Sequence, residues 1–84
     1  MQASERAQSG RLLHQAYDRI AIMEDVPALG VKQGDEGVIR GLNLHNDRVF
    51  AFVEVTYSTG QTRGWIVMEI KPQTKIVSYA TAPG

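Results

Sequence analysis

From Asp18 onward, apolar and polar residues alternate with a period of two and show no sustained helical spacing. That is the pattern of strands with one face in a core and one in water. In Asp18–Glu24 (DRIAIME), Ile20 and Ile22 fall on one side, predicting a first strand. Glu36–Leu44 (EGVIRGLNL) predicts a second, with Gly37 and Gly41 marking a bulge or bend. Arg48–Tyr57 (RVFAFVEVTY) is the longest and clearest strand, rich in β-branched and aromatic residues. Thr62–Val67 (TRGWIV) and Thr74–Ala80 (TKIVSYA) predict a fourth and a fifth. Turns are expected at His45–Asp47 and at Ser58–Gln61, where Gly60 suits a hairpin. Met68–Pro72 (MEIKP) reads as a single 3₁₀ turn stopped by Pro72, and Asp25–Asp35 as an irregular loop broken by Pro27, Gly30 and Gly34.

The polar residues before this region set a limit on the domain. Residues 1–16 are expected to form a flexible tail, with a turn or two of helix near Leu12–Tyr17. Residues 17–80 form the folded unit, and residues 81–84 a loose C-terminus. A chain of 84 residues is enough for one small domain, too small to enclose a deep pocket. Five short antiparallel strands bury their edges best by bending into a small barrel. The fold class expected is therefore all-β.

Half of the eight glycines crowd into Gly30–Asn43, with Asp35 and Glu36 at the centre. A phosphate-binding glycine loop needs a helix after it, so that the helix N-terminus faces the anion. The residues after Glu36 instead have strand composition, and the two acids would repel a phosphate. Gly34 and Gly37 are read as bracketing a tight turn at a sheet corner.

The run VKQGDEGVIRGL (Val31–Leu42) resembles the KOW-type turn, and the order of parts over Asp18–Tyr79 resembles the SH3-like barrel. The layout is also similar to the small ferredoxin-docking subunit of photosystem I. This resemblance implies a five-stranded antiparallel SH3-like barrel, with an acidic first loop that faces basic residues of a ligand.

Charge sharpens that picture. Lys plus Arg and Asp plus Glu both number 9, so the net charge is zero, whereas a general nucleic-acid binder shows a basic excess. Glu24, Asp25, Asp35 and Glu36, opposed only by Lys32, put the acidic charge in the first loop. They are candidates for docking a partner's Arg or Lys, or else a solvated loop in which Asp35 caps its own turn. No cysteine is present, which removes disulfides, thiolate metal sites and a Cys nucleophile. His14 and His45 lack ligand spacing, and no Ser, His and acid stand in a recognisable order. No metal or other cofactor is expected. Without an apolar run of membrane or signal length near the N-terminus, a cytoplasmic protein with no membrane partner is expected.

The parity of the third strand is the sharpest functional signal. Val49, Ala51, Val53, Val55 and Tyr57 fall on one side, and Phe50, Phe52, Glu54 and Thr56 on the other. A face holding Glu54 and Thr56 should be wet, which exposes two phenylalanines unless a bulge reverses the parity or the tail, through Leu12, Leu13 and Tyr17, covers them. Arg63 and Trp65 share a parity on the fourth strand. Trp65 is either a third member of that aromatic patch or the main core residue of a small barrel. The expected function is a non-catalytic module or accessory subunit that binds another protein, or its own copy. The proposed contacts are Glu24, Asp25, Asp35, Glu36, Phe50, Phe52, Arg63 and Trp65. The alternative is a KOW-type nucleic-acid-binding barrel using a stripe of Arg40, Arg48, Arg63, Lys71 and Lys75.

Overall fold

A computed structural model describes residues 15–83. Strands β1 (Arg19–Ala21), β2 (Glu36–His45), β3 (Arg48–Thr56), β4 (Thr62–Lys71) and β5 (Lys75–Thr81) make one sheet. Neighbours in sequence are neighbours in the sheet, and all pairs are antiparallel. The all-β class and the five strands agree with the alternation in the sequence. The expected closure does not: β1 and β5 are the two edges of an open sheet, and among the described residues they do not pair with each other.

The reason lies in β1 and in the loop after it. Ile20 and Ile22 are both buried, as their spacing predicts, yet only three residues of the expected Asp18–Glu24 segment stay in the strand. At Ile22 the chain closes a loop onto itself, with Ile22 N donating to Asp35 O at 2.7 Å and Gly34 N to Ile22 O at 2.8 Å. Within that loop Val26 bridges Val31 around a 3₁₀ turn, Pro27–Leu29. Val26, Leu29 and Val31 are buried in the core beside Ile20, Ile22, Ile39, Ala51, Val53, Val55, Ile66 and Met68. The loop thus covers the concave face that strand closure would otherwise have sealed. Each such aliphatic side chain contributes about 1.5–3 kcal/mol when fully buried, so the covering is an energetic part of the fold.

The crowded glycines serve the backbone. Gly34 takes φ of 96°, open to glycine and costly for other residues. A Cβ on Gly37 would collide with the Val53 side chain and lie 2.9 Å from the Glu54 carbonyl oxygen, so β2 and β3 meet there only because the position has no side chain. The segment beyond Gly37 is strand β2, with no helix. The β2–β3 turn places Asn46 and Asp47 at φ of 49° and 65°, the paired left-handed conformation of a two-residue hairpin.

Met68–Lys71 corrects the 3₁₀ expectation, since β4 runs through it. The alternation simply continues: Gly64, Ile66 and Met68 face the core, while Trp65, Val67 and Glu69 face outward. Only at Pro72, beyond the last paired residue, does the chain turn. Near the N-terminus, Tyr17 sits in a turn at φ of 73°, closed by Asp18 N donating to Gln15 O. The helical expectation fails at Tyr17, and Leu12 and Leu13 lie outside the described residues. At the other end β5 runs to Thr81, one residue past the expected domain limit.

Candidate functional site

The register across β2, β3 and β4 builds the convex face residue by residue. Phe50 pairs with Glu69, Phe52 with Val67, and Glu54 with Trp65, so all six side chains share the side away from the core. Val49, Ala51, Val53 and Val55 are buried on the opposite side, so the parity reading of β3 holds through Val55. Tyr57 lies beyond the strand and is exposed. Phe52 remains 44% exposed and Trp65 41%, with Phe50 and Val67 half-buried beside them. Trp65 is therefore a surface residue, and the core centres on Ile39, Val53, Ile66 and Met68.

Two carboxylates flank this aromatic strip, Glu54 held by one cation and Glu69 by two. Arg40 Nε lies 3.0 Å from Glu54 Oε1, and the Thr62 hydroxyl donates to the other oxygen of Glu54. Glu69 is only 2% exposed. Arg48 binds it with two parallel hydrogen bonds, of 3.0 and 3.1 Å, and Lys75 Nζ approaches to 3.6 Å. The hydrogen bond from Arg48 holds the Glu69 carboxyl below its ordinary pKa. Burial opposes this, and the charges of Arg48 and Lys75 add to it. The same bond raises Arg48. The Arg48 guanidinium also lies 5.0 Å from the centre of the Phe50 ring, and Arg40 lies 5.3 Å from that of Tyr17.

The basic residues therefore do not form one stripe. Arg40, Arg48 and Lys75 are each set against an acid. Lys71 lies opposite Val49 beyond a shift in register. Arg63 has left the convex face altogether. Val55 pairs with Gly64 and Thr56 with Thr62, so Arg63 is the extra residue of a bulge and the parity it shares with Trp65 in sequence is broken. Its Nη1 donates to Leu29 O and Gly30 O at 3.3 and 2.6 Å, clamping the covering loop. Sequence reasoning missed this because Gly64 is the one local hint of a bulge, and which neighbour it displaces is set by the pairing with β3.

The acidic loop shows how its charges are used locally. Asp35 Oδ2 accepts from Lys32 N at 2.9 Å, capping its own turn, and Asp25 Oδ1 accepts from Gln33 N at 2.8 Å. Both carboxylates order the loop backbone, and both stay exposed. Glu36 stands 4.0 Å from Arg19, and Glu24 is exposed. Glu36 shares its side of β2 with Val38, the partner of Glu54, so the acidic loop borders the convex face at one corner. Among the described residues no helix is long and apolar enough to cross a membrane. The chain matches no protein-family model, no curated protein and no solved structure.

Proposed function

We propose that this domain, SH3-like in layout, is a non-catalytic module that binds another protein through the convex face of its sheet. The observation that carries the reading is the exposure of Phe52 and Trp65 as diagonal neighbours on β3 and β4, on a face where Glu54 and Glu69 are already paired with Arg40, Arg48 and Lys75. Exposed neighbouring aromatics cost solvation free energy in the isolated protein and gain it when covered. Aromatic and Arg side chains are also the common anchors of interfaces. The pairs Arg40–Glu54 and Arg48–Glu69 give the strip a polar rim, the usual anatomy of a recognition patch. Glu24 and Glu36, at the adjoining corner, favour a partner that brings a basic residue there.

The nucleic-acid alternative draws less support. A cation already set against a carboxylate releases few counterions from a phosphate backbone, and Arg40, Arg48 and Lys75 are all of that kind. The test is a comparison of proteins captured by the natural chain and by a Phe52→Ser, Trp65→Ser variant whose circular dichroism is unchanged. Loss of a specific partner from the variant supports the reading. Equal recovery removes the convex face from consideration, and tight, steeply salt-dependent binding to single-stranded RNA would favour the alternative.

A further inference from the structure

Arg63 enters the concave rim, and its charge is answered there by neutral groups. It donates to two carbonyls and lies 4.8 Å from the centre of the Tyr57 ring. Arg40, Arg48 and Lys75 each have a carboxylate; among the described residues Arg63 has none within ion-pairing distance. Its Nε is buried and lacks a hydrogen-bond acceptor among them. Buried guanidinium N–H groups are ordinarily bonded, and most strongly to carboxylates. Beside Arg63 is a cavity of about 380 Å³, lined by Leu29, Gly30, Tyr57, Thr81 and Ala82 among others.

Thr81 and Ala82 bring that cavity to the free edge of β5. Ala82 N donates to Arg63 O at 3.0 Å, one of the two bonds of a hydrogen-bonded pair, which sets the phase of the ladder. The register then pairs Trp65 with Ala80 in the same way, while Gly64–Thr81 and Ile66–Tyr79 alternate with them as non-bonded pairs. The N–H and C=O groups of Tyr79 and Thr81 consequently point away from β4. Among the described residues no backbone bond joins β5 to any strand but β4. Tyr79, 52% exposed, stands beside this edge.

We infer that the β5 edge and the Arg63 cavity form a second binding site, for an extended peptide segment that carries a carboxylate side chain. The segment adds a strand beside β5, pairing its backbone with Tyr79 and Thr81, and its carboxylate reaches the Arg63 guanidinium. Charge complementarity selects this occupant. β5 itself (Lys75–Thr81) contains no acid, so pairing with the β5 of a second copy would bring Arg63 no carboxylate from that strand. A polyphosphate chain would find one cation here and no stripe.

The test uses the full chain, labelled with ¹⁵N, and three probes. These are a blocked pentapeptide Thr-Val-Glu-Val-Thr, its counterpart with Gln in place of Glu, and sodium acetate. The Glu peptide should shift the amide signals of Tyr79 and Thr81 and the Arg63 Nε–H signal. The Gln peptide should bind about tenfold more weakly, the scale of one charge-assisted hydrogen bond. Thr81→Pro, which removes an outward N–H and leaves the pairing to β4, should abolish the shifts. Equal affinity of the two peptides would overturn the inference, as would acetate saturating the same signals at the same concentration. Shifts at β5 that depend on protein concentration without any probe would point to a second copy and also overturn it. The Phe52→Ser, Trp65→Ser variant should bind the Glu peptide unchanged, so this site and the convex face fail or survive separately.

Discussion

The two faces of the β3–β4 hairpin are built from interleaved residues of the same strands, and they solve opposite problems. On the concave side, Val49, Ala51, Val53, Val55, Ile66 and Met68 are buried aliphatic side chains without a polar atom to satisfy. On the convex side Glu54 is paired with Arg40 and Glu69 with Arg48 and Lys75, and the large apolar rings are left partly in water. The difference separates what holds the domain together from what the proposed partner would cover. Close packing makes the first face intolerant of change, whereas the second is free to vary until something docks on it.

The sharpest way to break this division is to hollow the concave side. Ile66→Ala should cost about 2–5 kcal/mol of unfolding free energy, measured by urea denaturation, because the cavity adds to the lost burial. A cost near zero would mean that Ile66 is not in the core. Gly37→Ala should cost about 1–3 kcal/mol, since the new methyl meets the Val53 side chain and a backbone carbonyl that cannot move away. An unchanged urea midpoint would refute the close approach of β2 to β3.

The carboxylate at Glu69 probes the boundary between the faces. Its pKa is depressed in the folded chain, by the Arg48 hydrogen bond first, so its contribution to stability is present above the unfolded carboxylate value near 4.3. That contribution is lost as pH falls through the lower folded value. Arg48, raised from an already high value, stays charged throughout this range. Glu69→Gln should therefore lower the urea midpoint at neutral pH and flatten the loss of stability on acidification. A variant that keeps the same slope with pH would show that the Arg48–Glu69 pair is not linked to folding.

The smallest expected effect falls on the convex face. Phe52→Ser should change stability by only about 0.5 kcal/mol in either direction, as expected of an exposed site. Trp65, the one tryptophan, offers a direct reading of the same face. Its fluorescence should be quenched by acrylamide in the folded protein and protected when a partner covers the strip. Strong protection in the isolated chain would return Trp65 to the core.

Much of this organisation was legible in residue order. The parity of Arg48–Thr56 separated core from surface at Phe50, Phe52 and Glu54, and the composition of Gly30–Asn43 pointed to a backbone corner. The capping role of Asp35 was also accessible, because it depends on neighbours three residues away. Arg63 was not. One extra residue in β4 turns it from the side of Trp65 to that of Leu29, and a bulge of that kind is set by what the paired strand and the covering loop require. Met68–Lys71 differs from its expected 3₁₀ turn for a related reason: Pro72 marks where a strand must end without saying how far before it pairing persists.

The strands, their inward and outward faces and the tight turns were determined by the sequence itself, since they arise from periods of two and from backbone preferences within a few residues. The open edge was decided only in three dimensions. Whether β5 meets β1 depends on where the loop carrying Val26, Leu29 and Val31 comes to rest, and that position is chosen by competition between two distant segments for the same apolar surface. The partners of Glu54, Glu69 and Arg63 belong to the same class, because each joins residues whose proximity the folded sheet creates.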